Sequence, residues 1–219
     1  MNFSDTCDWL EERLKRDLPG ESAHQRMLAR VRAMPEKVPE HARASAVLGL
    51  LFPKDDTINL LLIKRTEDGR AHSGQISFPG GRMEQHDADL RATALRETQE
   101  EVGISSGNIR MIGQLSRLYI PVSNFLVYPF IGMVDHHPAY QPNHREVAAI
   151  IEVPLPHLLG TNSKVITAVT SPADKSFIKD VRAYQLQDGT IIWGATAMIL
   201  SELEVLVSEG LGPTLKAPG

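Results

Sequence analysis

The spacing of apolar positions changes along the chain, and each change marks a different element. Residues 5 to 34 read as two amphipathic helices interrupted at Pro19-Gly20. Trp9, Leu10 and Leu14 lie on the apolar face of the first, and Met27, Leu28 and Val31 on that of the second. From Ala44 the pattern turns to short β-rich runs. ASAVLGLLF (44–52) and TINLLLIK (57–64) flank Pro53-Lys54-Asp55-Asp56, which predicts a hairpin. A long helix is predicted over Asp87 to Val102, with Asp87 as its N-cap. Strands are predicted at Ile109 to Leu115, Phe125 to Val134, Val147 to Val153, Val165 to Val169 and Ser176 to Leu186. A closing helix is predicted at Ala195 to Ser208, with Met198, Ile199, Leu200, Leu203 and Val205 as its apolar material. Strands, one long internal helix, more strands and a final helix argue for an α/β layered domain.

A chain of 219 residues suffices for one sizeable domain with a full core. The expected division is an N-terminal helical extension (1–43), a catalytic domain (44–210) and a tail (211–219). Net charge is −4, and no run of Lys or Arg stands out, which argues against a nucleic-acid partner. A small anionic substrate held by a few local cations and a metal remains compatible. The single cysteine, Cys7, excludes an internal disulfide framework and a cysteine zinc site within one chain. No apolar run approaches the roughly 20 residues of a membrane span, and the first residues lack a secretion signal, so a cytoplasmic protein without membrane partners is expected. His136-His137, beside Pro138, reads as a solvated turn.

The stretch that bears on chemistry is Gly80 to Ile104, GGRMEQHDADLRATALRETQEEVGI. It reads as a two-glycine turn, a polar loop and a helix. On that helix Glu97, Glu100 and Glu101 fall at i, i+3 and i+4, so three carboxylates share one region of its surface. Mutual repulsion makes this arrangement costly unless cations neutralise it, and a hard divalent metal with oxygen ligands does so. Leu90, Ala94, Thr98 and Val102 form a second stripe that can face a sheet. Arg96 precedes Glu97 and lies four before Glu100, placed to orient a carboxylate. A solvated acidic face is the alternative for such a helix taken alone.

The segment Arg96 to Ile104 resembles the Nudix box, G-x5-E-x7-R-E-U-x-E-E-x-G-U with U aliphatic. Three departures are visible: Asp87 stands where Glu is usual, eight residues instead of seven separate it from Arg96, and Thr98 replaces an aliphatic. Upstream, Leu61-Leu62-Ile63-Lys64-Arg65-Thr66, Arg70, Gly74 and Gln75-Ile76-Ser77-Phe78-Pro79-Gly80-Gly81 resemble the signature LLxxRSxxxRxxxGxVxFPGG of the coenzyme A pyrophosphatase branch, which also carries the longer box. Trp193-Gly194-Ala195-Thr196 is similar to that branch's closing segment.

The resemblance implies a Nudix-type α/β/α sandwich with a mixed β-sheet and a carboxylate-bearing catalytic helix. It implies hydrolysis of the diphosphate of coenzyme A or a derivative, with Mg2+ or Mn2+. By position, Glu97 and Glu101 become metal ligands, with Glu100 a third ligand or a neighbour of the metal shell. Arg96 assists them, and Glu146 and Glu100 compete as general base. Gly80 and Gly81 would let backbone approach the phosphates. Arg65 and Arg70 would pair with substrate phosphate or form surface ion pairs. Two other readings are compatible: a diphosphatase acting on ADP-ribose, nucleotide sugars or dinucleoside polyphosphates, and a non-catalytic Nudix-like binding module. Whether the chain forms a homodimer stays open at this point.

Overall fold

The computed structural model describes residues 2–28, 37–67, 73–171 and 176–211. Val31, Arg70 and residues 212–219 of the expected tail lie outside them. The helices are α1 (Phe3–Leu14), α2 (Glu21–His24), α3 (Leu90–Val102), α4 (Leu155–Leu159) and α5 (Gly194–Leu211). The strands are β1 (Arg43–Lys54), β2 (Thr57–Arg65), β3 (Ile76–Ser77), β4 (Gly80–Arg82), β5 (Arg110–Gln114), β6 (Leu118–Ile120), β7 (Phe125–Met133), β8 (Val147–Pro154), β9 (Lys164–Thr170), β10 (Phe177–Gln185) and β11 (Ile191–Ile192).

Strand β1 organises the main sheet. One edge pairs in parallel with β7, and the other is shared by two antiparallel partners: β4 along Ser45 to Val47 and β2 along Leu51 to Lys54. Because β2 leaves β1 after that short register, the same edge is free at Ile63 and Lys64 to pair with β3, while its other edge pairs with β8 from Asn59 to Arg65. Strands β5 and β6 both join β7, which completes a mixed sheet. The β1–β2 turn is two residues, Asp55 and Asp56, both at positive φ (50° and 56°), the handedness that matches the twist of the strands. The expected hairpin is therefore present, with Pro53 and Lys54 inside β1 instead of in the turn.

The near-continuous apolar runs of β1 and β2 reflect burial on both faces. Ala46, Leu48, Leu50 and Phe52 face Ala94 and Val102 of α3, together with Leu61 and Ile63. On the other face Leu51, Leu60, Leu62 and Ile131 pack with Ile199, Leu200 and Leu203 of α5. The result is an α/β/α sandwich around a mixed sheet. Helix α1 joins the α5 layer: Cys7, Leu10 and Leu14 are buried in that same cluster, and Trp9 lies against Gly210, where a β-carbon would fall 2.5 Å from the indole. The second predicted helix is reduced to α2 and a 3-10 turn at Gln25–Met27, with Leu28 already extended.

The strands expected at 165–169 and 176–186 do not join the main sheet. They form β9 and β10 of a separate three-stranded antiparallel sheet with β11. Among the described residues no helix is long and apolar enough to cross a membrane. His137 is not simply solvated: its Nε2 lies 2.6 Å from Glu152 Oε1, and its ring meets Phe52 and Tyr140 edge-on.

Candidate active site

The site is built where β4 leaves the sheet beneath α3. Gly80 has φ +154°, and a β-carbon there would collide with Ala46 O and lie 2.6 Å from Val47 Cα. At Gly81 a β-carbon would occupy the space of the Glu97 carboxylate. Each glycine thus admits something specific: Gly80 the neighbouring strand, Gly81 a helix carboxylate.

Helix α3 begins three residues later than predicted. Its N-cap is Asp89, whose Oδ1 accepts from Ala92 N at 2.8 Å, and Asp87 lies in the loop before it. Asp87 instead holds Arg96. Its Oδ1 accepts from Arg96 Nε at 2.9 Å and its Oδ2 from Nη2 at 3.0 Å, and Glu84 N (2.8 Å) and Thr93 Oγ1 (2.9 Å) also donate to Oδ2. These donors, the Arg96 guanidinium foremost, hold the Asp87 carboxyl well below the usual carboxylate range. The additional residue between Asp87 and Arg96 is absorbed in that loop. Thr98 is fully buried, and its hydroxyl is satisfied by donating to Ala94 O at 2.8 Å, which is how a polar residue stands at an aliphatic position. Gly103 ends the helix in the left-handed region at φ 77°.

The three glutamates do not share one environment. Glu101 is 1% exposed; its Oε2 accepts from Gly80 N at 2.9 Å and its Oε1 from Arg65 Nη1 at 3.0 Å. Glu97 is mostly buried against Gly81, and Arg96 Nη1 donates to its Oε1 at 2.9 Å. Glu100 is 54% exposed and accepts from the same Nη1 at 3.0 Å. Burial raises the Glu97 carboxyl and pushes Glu101 up to about 7, with the charge of Glu146 adding to both.

Glu146 itself is exposed, on a turn fixed to the end of α3 by Asn143 N donating to Glu101 O (2.9 Å) and to the end of β2 by Thr66 N donating to Glu146 O (2.9 Å). The fold therefore brings Glu97, Glu101, Glu146, Arg65, Arg96, Gly80 and Gly81 together, with Glu100 at the rim. Arg65 is engaged through Nη1 by the buried Glu101 carboxylate and remains partly exposed.

Beside this cluster, on the α5 face of the sheet, lies a cavity of about 450 Å³. Arg65, Gly80, Gly81 and Arg82 line one end, and its walls are largely apolar, with Phe125, Ile178, Trp193 and Ile199 among them. Thr196 Oγ1 donates to Ile76 O at 2.9 Å and so ties the start of α5 to the signature loop. Arg82 was not singled out from the sequence, although its place one residue beyond the glycine pair was a usable signal.

Residues 42–168, more than half of the chain, match the NUDIX domain family. The chain belongs to the Nudix hydrolases. The uncharacterized Nudix hydrolase NudL of Pectobacterium atrosepticum is 33% identical over 175 residues, which cover 80% of this chain and 88% of that one. NudL of Photorhabdus laumondii is 35% identical over 169 residues, covering 77% and 87%. Among solved structures, a MutT/nudix family protein from Enterococcus faecalis aligns with 99% of this chain and 78% of its own at TM-score 0.51 and 17% identity, a likeness of fold alone.

Nudix enzymes generally use a divalent metal. As the side chains stand, no three acidic, imidazole or thiol groups among the described residues are gathered to chelate an ion, and arginines pair with Glu97, Glu100 and Glu101. The donor chemistry nevertheless fits a hard cation. Glu97 and Glu101 are oxygen donors largely shielded from water, whose carboxyls burial raises despite their arginine partners, and Gly81 leaves the Glu97 carboxylate uncovered by any side chain of its own.

Proposed function

We propose that this Nudix hydrolase cleaves the diphosphate of coenzyme A or a derivative, releasing 4'-phosphopantetheine and adenosine 3',5'-bisphosphate. The observation that carries the reading is the pair of shielded carboxylates, Glu97 and Glu101, set against Gly81 and Gly80, which themselves line a largely apolar cavity. The choice of coenzyme rests on the 61–81 stretch and its resemblance to the coenzyme A pyrophosphatase signature.

In this reading Glu97 and Glu101 hold Mg2+ or Mn2+, with Glu100 at their side. The ion supplies positive charge to the diphosphate oxygens and acidifies a water. The remaining work belongs to the chain. Arg96, locked by Asp87, aims Glu97 and Glu100. Gly80 and Gly81 keep side chains away from the phosphates. Glu146 takes the proton from the attacking water: it is exposed, its charge reaches both buried glutamates, and it forms no ion pair among the described residues. Glu100 is less suited, since Arg96 engages its carboxylate.

The test is incubation of the purified protein with coenzyme A and magnesium, products being followed by chromatography with mass detection. Equal amounts of the two named products support the reading, whereas free phosphate or dephospho-coenzyme A would indicate phosphatase chemistry. A higher specificity constant for ADP-ribose than for coenzyme A would leave only the general diphosphatase.

A further inference from the structure

We propose that Arg43 and Arg82 form a phosphate-reading pair at the mouth of the cavity, taking a phosphate monoester that the substrate carries beyond its diphosphate. The proposal rests on the coenzyme reading above, since coenzyme A carries such a group at the ribose 3' position and ADP-ribose does not.

The two arginines are brought to one face by strand register. Arg82 lies opposite Ser45 in the β1–β4 pair, and Arg43 is two residues from Ser45 on the same strand, so both side chains project to the face on which Ser45 lines the cavity. Arg82 lines the cavity directly. Arg43 is held at its edge by two lining residues: its Nη2 donates to Ser123 O at 2.7 Å, and its guanidinium carbon sits 4.2 Å from the centroid of the Phe125 ring.

The other described arginines of the site are engaged by carboxylates. Arg65 is bound by Glu101, and Arg96 by Asp87, Glu97 and Glu100. Among the described residues neither Arg43 nor Arg82 forms an ion pair, and both are exposed. Two un-neutralised guanidiniums beside an apolar chamber suit a doubly charged monoester, because the planar fork of each can donate two hydrogen bonds to phosphate oxygens. The pair is also displaced from the buried glutamates: Glu97 and Glu101 belong to the α3 side of the sheet and Ser45 to the α5 side. It is therefore placed for a phosphate other than the one being cleaved. Arg82 is linked to the reacting end through its carbonyl, which accepts from Arg96 Nη2 at 3.1 Å, so its backbone position is fixed before substrate arrives.

Steady-state kinetics of Arg43→Ala, Arg82→Ala and the double variant on coenzyme A and dephospho-coenzyme A test the pair. For coenzyme A we expect KM to rise about tenfold in each single variant and further in the double, with kcat within about twofold. Dephospho-coenzyme A should respond within about twofold, and Arg82→Lys should recover part of the loss. Equal losses on both substrates, or none, would overturn the proposal.

A second measurement does not depend on turnover: calorimetric binding of adenosine 3',5'-bisphosphate and of AMP in chelator. The wild type should prefer the bisphosphate by about tenfold, and the double variant should show no preference. A preference unchanged in the double variant overturns the pair. A wild type that binds with this preference yet fails to cleave coenzyme A overturns the coenzyme reading instead.

Discussion

Helices α3 and α5 both carry glutamates shielded from water, and Glu202 of α5 is treated in the opposite way to Glu97 and Glu101 of α3. On α5, Glu202 is fully buried, but Gly20 N (3.0 Å), Ser116 N (3.1 Å) and His24 Nε2 (3.1 Å) surround it. Burial alone would raise its carboxyl, yet these hydrogen bonds hold it below the ordinary value. Its neighbour Glu204 accepts from Tyr184 Oη at 2.5 Å and pairs with Lys164 at 2.9 Å. On α3, Glu97 and Glu101 have partners too, but burial prevails and both carboxyls rise. A buried acid whose partners over-compensate its desolvation fastens the fold; one left under-compensated is set up for a cation from outside.

The strongest way to break that comparison is to remove the charges on α3. Glu97→Gln and Glu101→Gln should each lower kcat by about 100-fold or more in saturating magnesium, because the amide cannot hold the ion. In chelator their melting temperatures should equal or exceed that of the wild type, since an under-neutralised buried charge has been removed. Near-full activity in either variant would sink the assignment.

On α5 the outcome should invert. Glu202→Ala leaves two backbone amides and His24 without their acceptor and should cost about 3 kcal/mol in denaturant unfolding, with kcat of the folded fraction unchanged. Loss of activity without loss of stability would mean that the two helices had been wrongly contrasted.

A smaller effect is expected from pH. The folded-state pKa of Glu202 lies below its unfolded value of about 4.3, so its contribution to stability is present above that pH and is lost as pH falls through the folded value. Stability of the wild type should therefore decline, as pH falls below the ordinary glutamate value, more steeply than that of Glu202→Gln, and parallel curves would contradict this. The least effect belongs to Glu100→Gln: half-exposed and already paired with Arg96, it should reduce kcat by no more than about tenfold and alter stability by about 0.5 kcal/mol or less. A loss as large as that of Glu97→Gln would move Glu100 into the inner metal shell.

Much of this was legible in the sequence because it rests on local rules. The two β-rich runs in 44–64, flanking Pro53 to Asp56, predicted the β1–β2 hairpin, and the i, i+3, i+4 spacing predicted a carboxylate-bearing helix. What was missed depends on distant residues. Asp87 reads as a cap because it precedes an apolar-periodic run, and only the folded loop shows that Asp89 caps while Asp87 reaches Arg96. Strands β4 and β6, of three residues each, are too short to show a period, yet β4 carries the site. Spacing likewise places Glu97, Glu100 and Glu101 together but does not say which are buried, because that depends on the missing β-carbons of Gly80 and Gly81, against which the helix packs.

The packing of α1 bears on how the chain reaches this state during synthesis. Trp9 rests on Gly210, and Arg13 pairs with Glu209 at 2.5 Å, so α1 finds its partners on a helix made much later than itself. Until α5 leaves the ribosome, the face of β1 and β2 turned away from α3 and the face of α1 that packs on α5 lack that cover, and a closure that joins distant parts of a chain is slow. A nascent chain halted before residue 194 would carry the whole carboxylate helix and still expose the surface on which aggregation begins.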